Sequence, residues 1–108
     1  MARGVGRGDI WLYQFGRPDK RRPVLVLSRQ KALDHLHTAT VAPITSAIRG
    51  LPSEIRLGVE DGLKSECVAN LDHIITVAQS ELRRLVGHLD ERRMREVCTA
   101  IDVALGCC

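Results

Sequence analysis

Short stretches of alternating apolar and polar residues fill most of the chain, and the period lengthens only near its end. In "GDIWLYQF" (8–15), Trp11, Tyr13 and Phe15 point to one side and Ile10, Leu12 and Gln14 to the other, which is the two-residue period of a strand. Core packing is the simpler use of that aromatic face, and a platform for stacked bases is the other. "GRPDKR" follows as a loop, marked by Gly16, Pro18 and Asp19. "PVLVLS" (23–28) lacks alternation in its apolar part, as a strand buried on both faces does, and Pro23 fits at its first residue. Gln30 to Asp34 reads as a short helical turn, and a third strand runs from about Thr38 to Ala42, stopped by Pro43.

Alternation returns in "SEIRL" (53–57), then in "SECVANL" (65–71) and "HIITV" (73–77), with "GVEDGL" as a turn and a tight break at Asn70 to Asp72. Thr76 to Gln79 has the T-x-x-Q form of a capping box and predicts one helical turn. Five or six short strands at this spacing suggest a compact antiparallel barrel. The last segment has another period. Met94, Val97, Cys98, Ile101, Ala104 and Leu105 recur at spacings of three and four, with Asp90 as N-cap and Gly106 just past the end. That is an amphipathic helix whose apolar stripe should lie across the barrel, leaving Arg92, Arg93 and Arg95 on its solvated face. The fold class is mostly β with α.

A chain of 108 residues allows one domain, placed at 8–106 behind a flexible N-terminus of residues 1–7. With only Trp11, Tyr13 and Phe15 aromatic, the core must be built from Val, Leu, Ile and Ala. The net charge of +3 says little, but its distribution says more. Between Arg17 and Arg29 there are five basic residues and one acidic, against two basic and five acidic in residues 53–72. The first region is therefore a candidate anion-binding edge. Cys67, Cys98, Cys107 and Cys108 form no CxxC pair or zinc spacing, and His35 and His37 lack a third ligand, so neither metal nor cofactor is implied. No apolar run approaches a membrane span, and "MARGVGRGD" lacks the apolar core of a signal peptide, which points to a cytoplasmic chain.

Taken in order, "RGDIW", "RRPVLVLS" after its loop, "APITS" and the closing "HLDERRMREVCTAI" resemble the MazF/PemK family of toxin endoribonucleases, from about Arg7 to Leu105. The resemblance implies an SH3-like antiparallel β-barrel of the MazF/PemK/CcdB type with a C-terminal amphipathic helix. It further implies a symmetric homodimer that cuts single-stranded RNA at short sequences without a metal, and a cognate antitoxin that offers an acidic, partly disordered segment. In that family the Arg before the Pro-Val-Leu-Val strand and the Thr of the "IT" pair are catalytic; here they are Arg22 and Thr45. Arg17, Lys20, Arg21, Ser28, Ser46 and Arg49 are candidate RNA contacts around them, with Gln14 nearby.

The residue types suit that chemistry. RNA carries a 2′-hydroxyl beside each phosphate, so an enzyme that aligns it needs no nucleophile of its own. An arginine fork matches the charge growing on the non-bridging oxygens in sign and geometry, and a threonine hydroxyl adds a further donor. No general base is evident, since an arginine holds its proton above about pH 12 and "GRPDKR" offers only Asp19. An arginine acting as acid and donor is the preferred account. Two other classes stay open: a noncatalytic SH3-like module that binds nucleic acid or protein, and a gyrase-poisoning relative. The latter relies on a C-terminal tryptophan, whereas this chain ends "ALGCC" and its one Trp is Trp11.

Overall fold

The structure, a computed structural model, describes residues 4–14 and 21–107. Its strands are β1 (Asp9–Gln14), β2 (Arg21–Val26), β3 (Thr38–Thr45), β4 (Glu54–Leu57), β5 (Cys67–Asn70), β6 (Ile75–Ala78) and β7 (Leu82–His88), and its α-helices α1 (Gln30–His35) and α2 (Glu91–Leu105). The strands hydrogen-bond in the order β4-β5-β3-β2-β1-β7, with β6 also on β3, and every pairing is antiparallel. No described helix is long and apolar enough to cross a membrane.

The organising strand is β3, and it corrects the expectation that Pro43 would stop it at Ala42. β3 continues to Thr45 because Pro43 falls between the last rung to β6, Val41↔Ile75, and the first rung to β5, Ile44↔Ala69. A residue without an N–H loses little where the strand changes partners. Pro23 is likewise the third residue of β2 rather than its first. It pairs with Leu12 on β1, one position before the ladder to β3 begins at Val24↔Pro43. Arg21 and Arg22 are thereby part of the strand.

β2 is buried on both faces, as its unbroken apolar run predicts: Val24, Leu25 and Val26 are each fully buried. On one face Leu25 and Leu27 join Ile10, Ala42, Ile44, Leu71 and Leu89, and α2 covers them with Met94, Val97 and Ala100. On the other, Val24 and Val26 meet Leu33, Ala39, Val41, Val77 and Leu82, with Trp11 and Tyr13 packed against them. The aromatic face of β1 is thus core at these two positions; Phe15 lies outside the described residues. The Trp11 indole donates to the buried Asp9 carboxylate at 3.1 Å, and His88 Nδ1 donates to its other oxygen at 2.9 Å.

α2 follows from its caps and period. The Asp90 carboxylate accepts the Arg93 N–H at 2.9 Å, and Gly106 ends the helix at φ 66°. The apolar stripe is narrower than expected, for Cys98 and Leu105 are exposed. Arg93 also departs from expectation: its side chain is only 20% exposed, lies 3.5 Å from Asp61 and 3.4 Å from Glu96, and donates to the Arg56 carbonyl. It holds the helix to the turn at Val59–Asp61 rather than facing water. The capping box is absent too. Thr76 belongs to β6, and Gln79 instead aims its amide at the carbonyls of Leu33, Leu36 and Thr38, at 2.9–3.0 Å.

The sequence pattern does not predict β7. Exposed Arg83 and Arg84 break its alternation, and its pairing with β1 shifts register twice. Gly87 lets it pass under the preceding turn, since a Cβ there would sit 1.9 Å from the Asp61 carbonyl oxygen.

Candidate functional site

The β2–β3 register carries the site. Continuing Val24↔Pro43 by two residues brings Arg22 across from Thr45, just beyond the end of the ladder. A hollow opens on either side of this pair. The larger, about 620 Å³, has an apolar floor of Leu12, Pro23, Ile44, Leu63 and Val86 under a rim of Arg21, Arg22, Lys64 and Arg84. The smaller, about 220 Å³, is lined by Arg49, Asn70 and His73 together with Pro43 and Ala47. Arg22 and Thr45 line both, so they form the ridge between them, and no described carboxylate lines either hollow.

Arg21 and Arg22 are exposed, and among the described residues neither is ion-paired. Thr45 is half-buried, and its Oγ1 accepts the Ala47 N–H at 3.1 Å, which leaves the hydroxyl proton to donate elsewhere. Loop 46–52 is shaped from β4. The Glu54 carboxylate accepts the N–H groups of Arg49, Gly50 and Leu51 at 3.2, 2.9 and 3.3 Å, with Gly50 at φ 73°. A carboxylate in this nest of donors fixes the backbone from which Arg49 reaches the smaller hollow.

Of the sequence candidates, Arg21, Arg22, Thr45, Ser46 and Arg49 line one hollow or both. Ser28 does not join them: it lies past the other end of β2 and its hydroxyl accepts the Thr40 N–H at 2.8 Å. Arg17 and Lys20 lie outside the described residues. Lys64, Arg84, Asn70 and His73 also line the hollows, and no sequence motif marks them. Lys64 and Arg84 sit on separate elements whose convergence no local pattern encodes. His73 had one signal, its place in the turn that follows β5. Asn70, nearly buried, accepts the Asp72 N–H through Oδ1 at 2.9 Å and sets Nδ2 3.4 Å from His73 Nδ1. Ser53 in turn donates to the Asp72 carboxylate at 2.5 Å.

The larger hollow also exposes an edge of Cys67. Burial pushes this thiol above its ordinary pKa, aided by the carboxylates of Asp61 and Glu66, so it is held as the poorly nucleophilic thiol. Among the described residues no three His, Cys, Asp or Glu side chains gather as a metal site would require. The arrangement is a ridge of hydrogen-bond donors between two cation-lined hollows, suited to a chain of phosphates.

Comparison with known proteins places nearly the whole chain in one family. The profile of the PemK-like, MazF-like toxin of type II toxin-antitoxin systems matches residues 6–105. Probable endoribonuclease MazF5 of Mycobacterium tuberculosis is 41% identical over 102 residues, covering 94% of this chain and 93% of the relative. Probable endoribonuclease MazF2 of the same species is 36% identical over 102 residues, covering 94% and 98%. Among solved structures, M. tuberculosis toxin MazF-mt6 superposes with a TM-score of 0.82 at 35% identity, over 91% of this chain and 96% of that one. An endoribonuclease in complex with its cognate antitoxin from a mycobacterial species gives a TM-score of 0.84 at 25% identity, over 96% and 97%.

Proposed function

Because the chain belongs to the PemK-like, MazF-like toxins of type II toxin-antitoxin systems, we propose that it is a metal-independent, sequence-specific endoribonuclease of single-stranded RNA, acting in the cytoplasm. The supporting observation is the ridge: the two positions marked by the resemblance, Arg22 and Thr45, line both hollows, and no described carboxylate lines either. A single strand laid across the ridge has its scissile phosphate at Arg22 and Thr45, with a neighbouring nucleotide on each side.

The reaction then needs alignment and charge stabilisation. The 2′-oxygen attacks phosphorus in line with the 5′-oxygen; the 2′-O–P bond forms as the hydroxyl proton passes to water, the P–O5′ bond breaks as the leaving oxygen takes a proton from Arg22 that water restores, and the products are a 2′,3′-cyclic phosphate and a 5′-hydroxyl. Charge on the non-bridging oxygens meets the Arg22 fork and the Thr45 hydroxyl proton. Arg21, Lys64 and Arg84 hold flanking phosphates from the larger hollow, and Arg49 does so from the smaller. By the same family likeness, the protein works as a symmetric homodimer. A cognate antitoxin inhibits it by laying carboxylates against Arg17, Lys20, Arg21 and Arg22 in competition with phosphates.

The test uses a cleaved single-stranded RNA and a copy with one 2′-deoxy substitution on the nucleotide 5′ of the cut. Cleavage of the first should persist in EDTA and leave a cyclic phosphate; the second should bind but stay intact. A deoxy bond cut by metal-free protein would sink the mechanism.

A further inference from the structure

The smaller hollow contains an imidazole whose tautomer the surrounding hydrogen bonds determine. Asn70 cannot be flipped, because its Oδ1 accepts the Asp72 N–H at 2.9 Å. Its Nδ2 therefore carries the protons that face His73 Nδ1 at 3.4 Å, so Nδ1 must accept. A neutral imidazole that accepts at Nδ1 bears its proton on Nε2. We infer that His73 is a fixed-tautomer hydrogen-bond donor, not the missing general base. Its Nε2–H holds a non-bridging oxygen of the phosphate next to the scissile one. This rests on the endoribonuclease reading and assigns a role within the same site.

The partner follows from the lining. Arg22 and Arg49 are cations, Thr45 retains a hydroxyl proton, and Pro43, Ile44 and Ala47 have no polar side-chain atoms. No described carboxylate lines the hollow, and that of the neighbouring Asp72 already accepts from Ser53 at 2.5 Å. With Arg22 and Thr45 directed at the scissile phosphate, the Arg49 guanidinium and the His73 Nε2–H remain in this hollow to meet an anionic oxygen of the next one. His73 is exposed enough to meet it, while Asn70, only 6% exposed, is shielded behind it. Asn70 is thus a positioning residue acting through His73. A base at this site would need a free imidazole lone pair, and the lone pair is turned toward Asn70.

Long-range ¹H–¹⁵N correlation spectra of the intact protein, recorded well above the ordinary imidazole pKa of about 6.5, read the tautomer directly. Nε2 should be protonated and Nδ1 bare; a protonated Nδ1 overturns the proposal. Kinetics give an independent check. His73→Ala should raise KM roughly three- to tenfold with kcat unchanged, as loss of one hydrogen bond in ground and transition states alike requires. His73→Gln retains a donor and should recover most of that loss. Equal loss of kcat in both variants would mark a base and reject the donor. Asn70→Asp can still accept the Asp72 N–H but now also accepts from Nδ1, which strips Nε2 in the neutral ring. The same spectra should then show Nδ1 protonated and Nε2 bare, and an unchanged Nε2–H in this variant would reject Asn70 as the positioning residue; Arg22, Arg49 and Asp72 are the charged neighbours common to both. Replacing the adjacent phosphate with a methylphosphonate should weaken wild type by more than it weakens His73→Ala, which retains only the Arg49 contact to lose, whereas full additivity would exclude that phosphate as the partner of His73. If no RNA is cut at all, the endoribonuclease reading falls, and the spectra still decide the tautomer.

Discussion

The two hollows beside Arg22 and Thr45 share a ridge but are built by different means. The larger is the uncovered end of the barrel core: Ile44 and Leu63 are nearly buried and belong to the main apolar cluster. The smaller is made from turns, with Glu54 gathering the N–H groups of loop 46–52 and Asn70 setting the ring of His73. Shape on the first side is inseparable from stability, whereas on the second it is set by local hydrogen bonds that the core can spare. The same fold therefore provides one wall that resists change and one that can be altered freely.

Changes at the ridge should erase the distinction. Arg22→Ala should lower kcat for cleavage by about 10²–10³, the usual cost of losing a transition-state donor, and leave thermal unfolding unmoved because the side chain is exposed. Arg22→Lys should recover little, since a point charge lacks the planar fork. Leu63→Ala would sharpen the contrast from the floor of the larger hollow alone, with a loss of about 2–5 kcal/mol in denaturant unfolding for a side chain only 9% exposed. Glu54→Ala should do the opposite and reduce cleavage several-fold through a loosened Arg49, with unfolding shifted by only about 1 kcal/mol. A comparable loss of stability in both variants would remove the distinction. Lys64→Ala and Arg84→Ala should each flatten the salt dependence of RNA binding by about 0.7 in log–log slope, as removal of one phosphate contact predicts. The smallest effect concerns Cys67, which should react with iodoacetamide more slowly than exposed Cys98 and Cys107. Its raised pKa gives stability that is complete below the ordinary value of 9.0 and lost as pH rises from there toward the folded-state value.

What could be read from the sequence was what neighbouring residues decide among themselves. β2 is legible because Val24, Leu25 and Val26 leave no polar face, and α2 because Asp90, the Met94–Val97–Ile101 spacing and Gly106 agree on one helix. β7 was not, since Arg83 and Arg84 point to solvent beside an irregular ladder. Pro43 misled because its tolerance depends on where β5 and β6 join β3, which are long-range facts. The site divides in the same way. Arg22 and Thr45 are candidates through the order of recognisable stretches, and the register sets them across from each other. Lys64, Arg84 and His73 come from three further parts of the chain, and only the folded sheet brings them beside Arg22 and Thr45.

The close passage of β7 beneath its turn has a genetic consequence. At Gly62 an added Cβ would lie 2.4 Å from the Val86 carbonyl oxygen, and at Gly87 it would lie 1.9 Å from that of Asp61, so neither position admits a side chain without moving backbone. In a selection for cells that survive expression of the toxin, both glycines should therefore yield survivors as readily as Arg22 does. Growth temperature would separate the classes: alleles at the glycines should regain lethality in the cold, where the strained backbone can still fold, while Arg22 alleles remain harmless at every temperature.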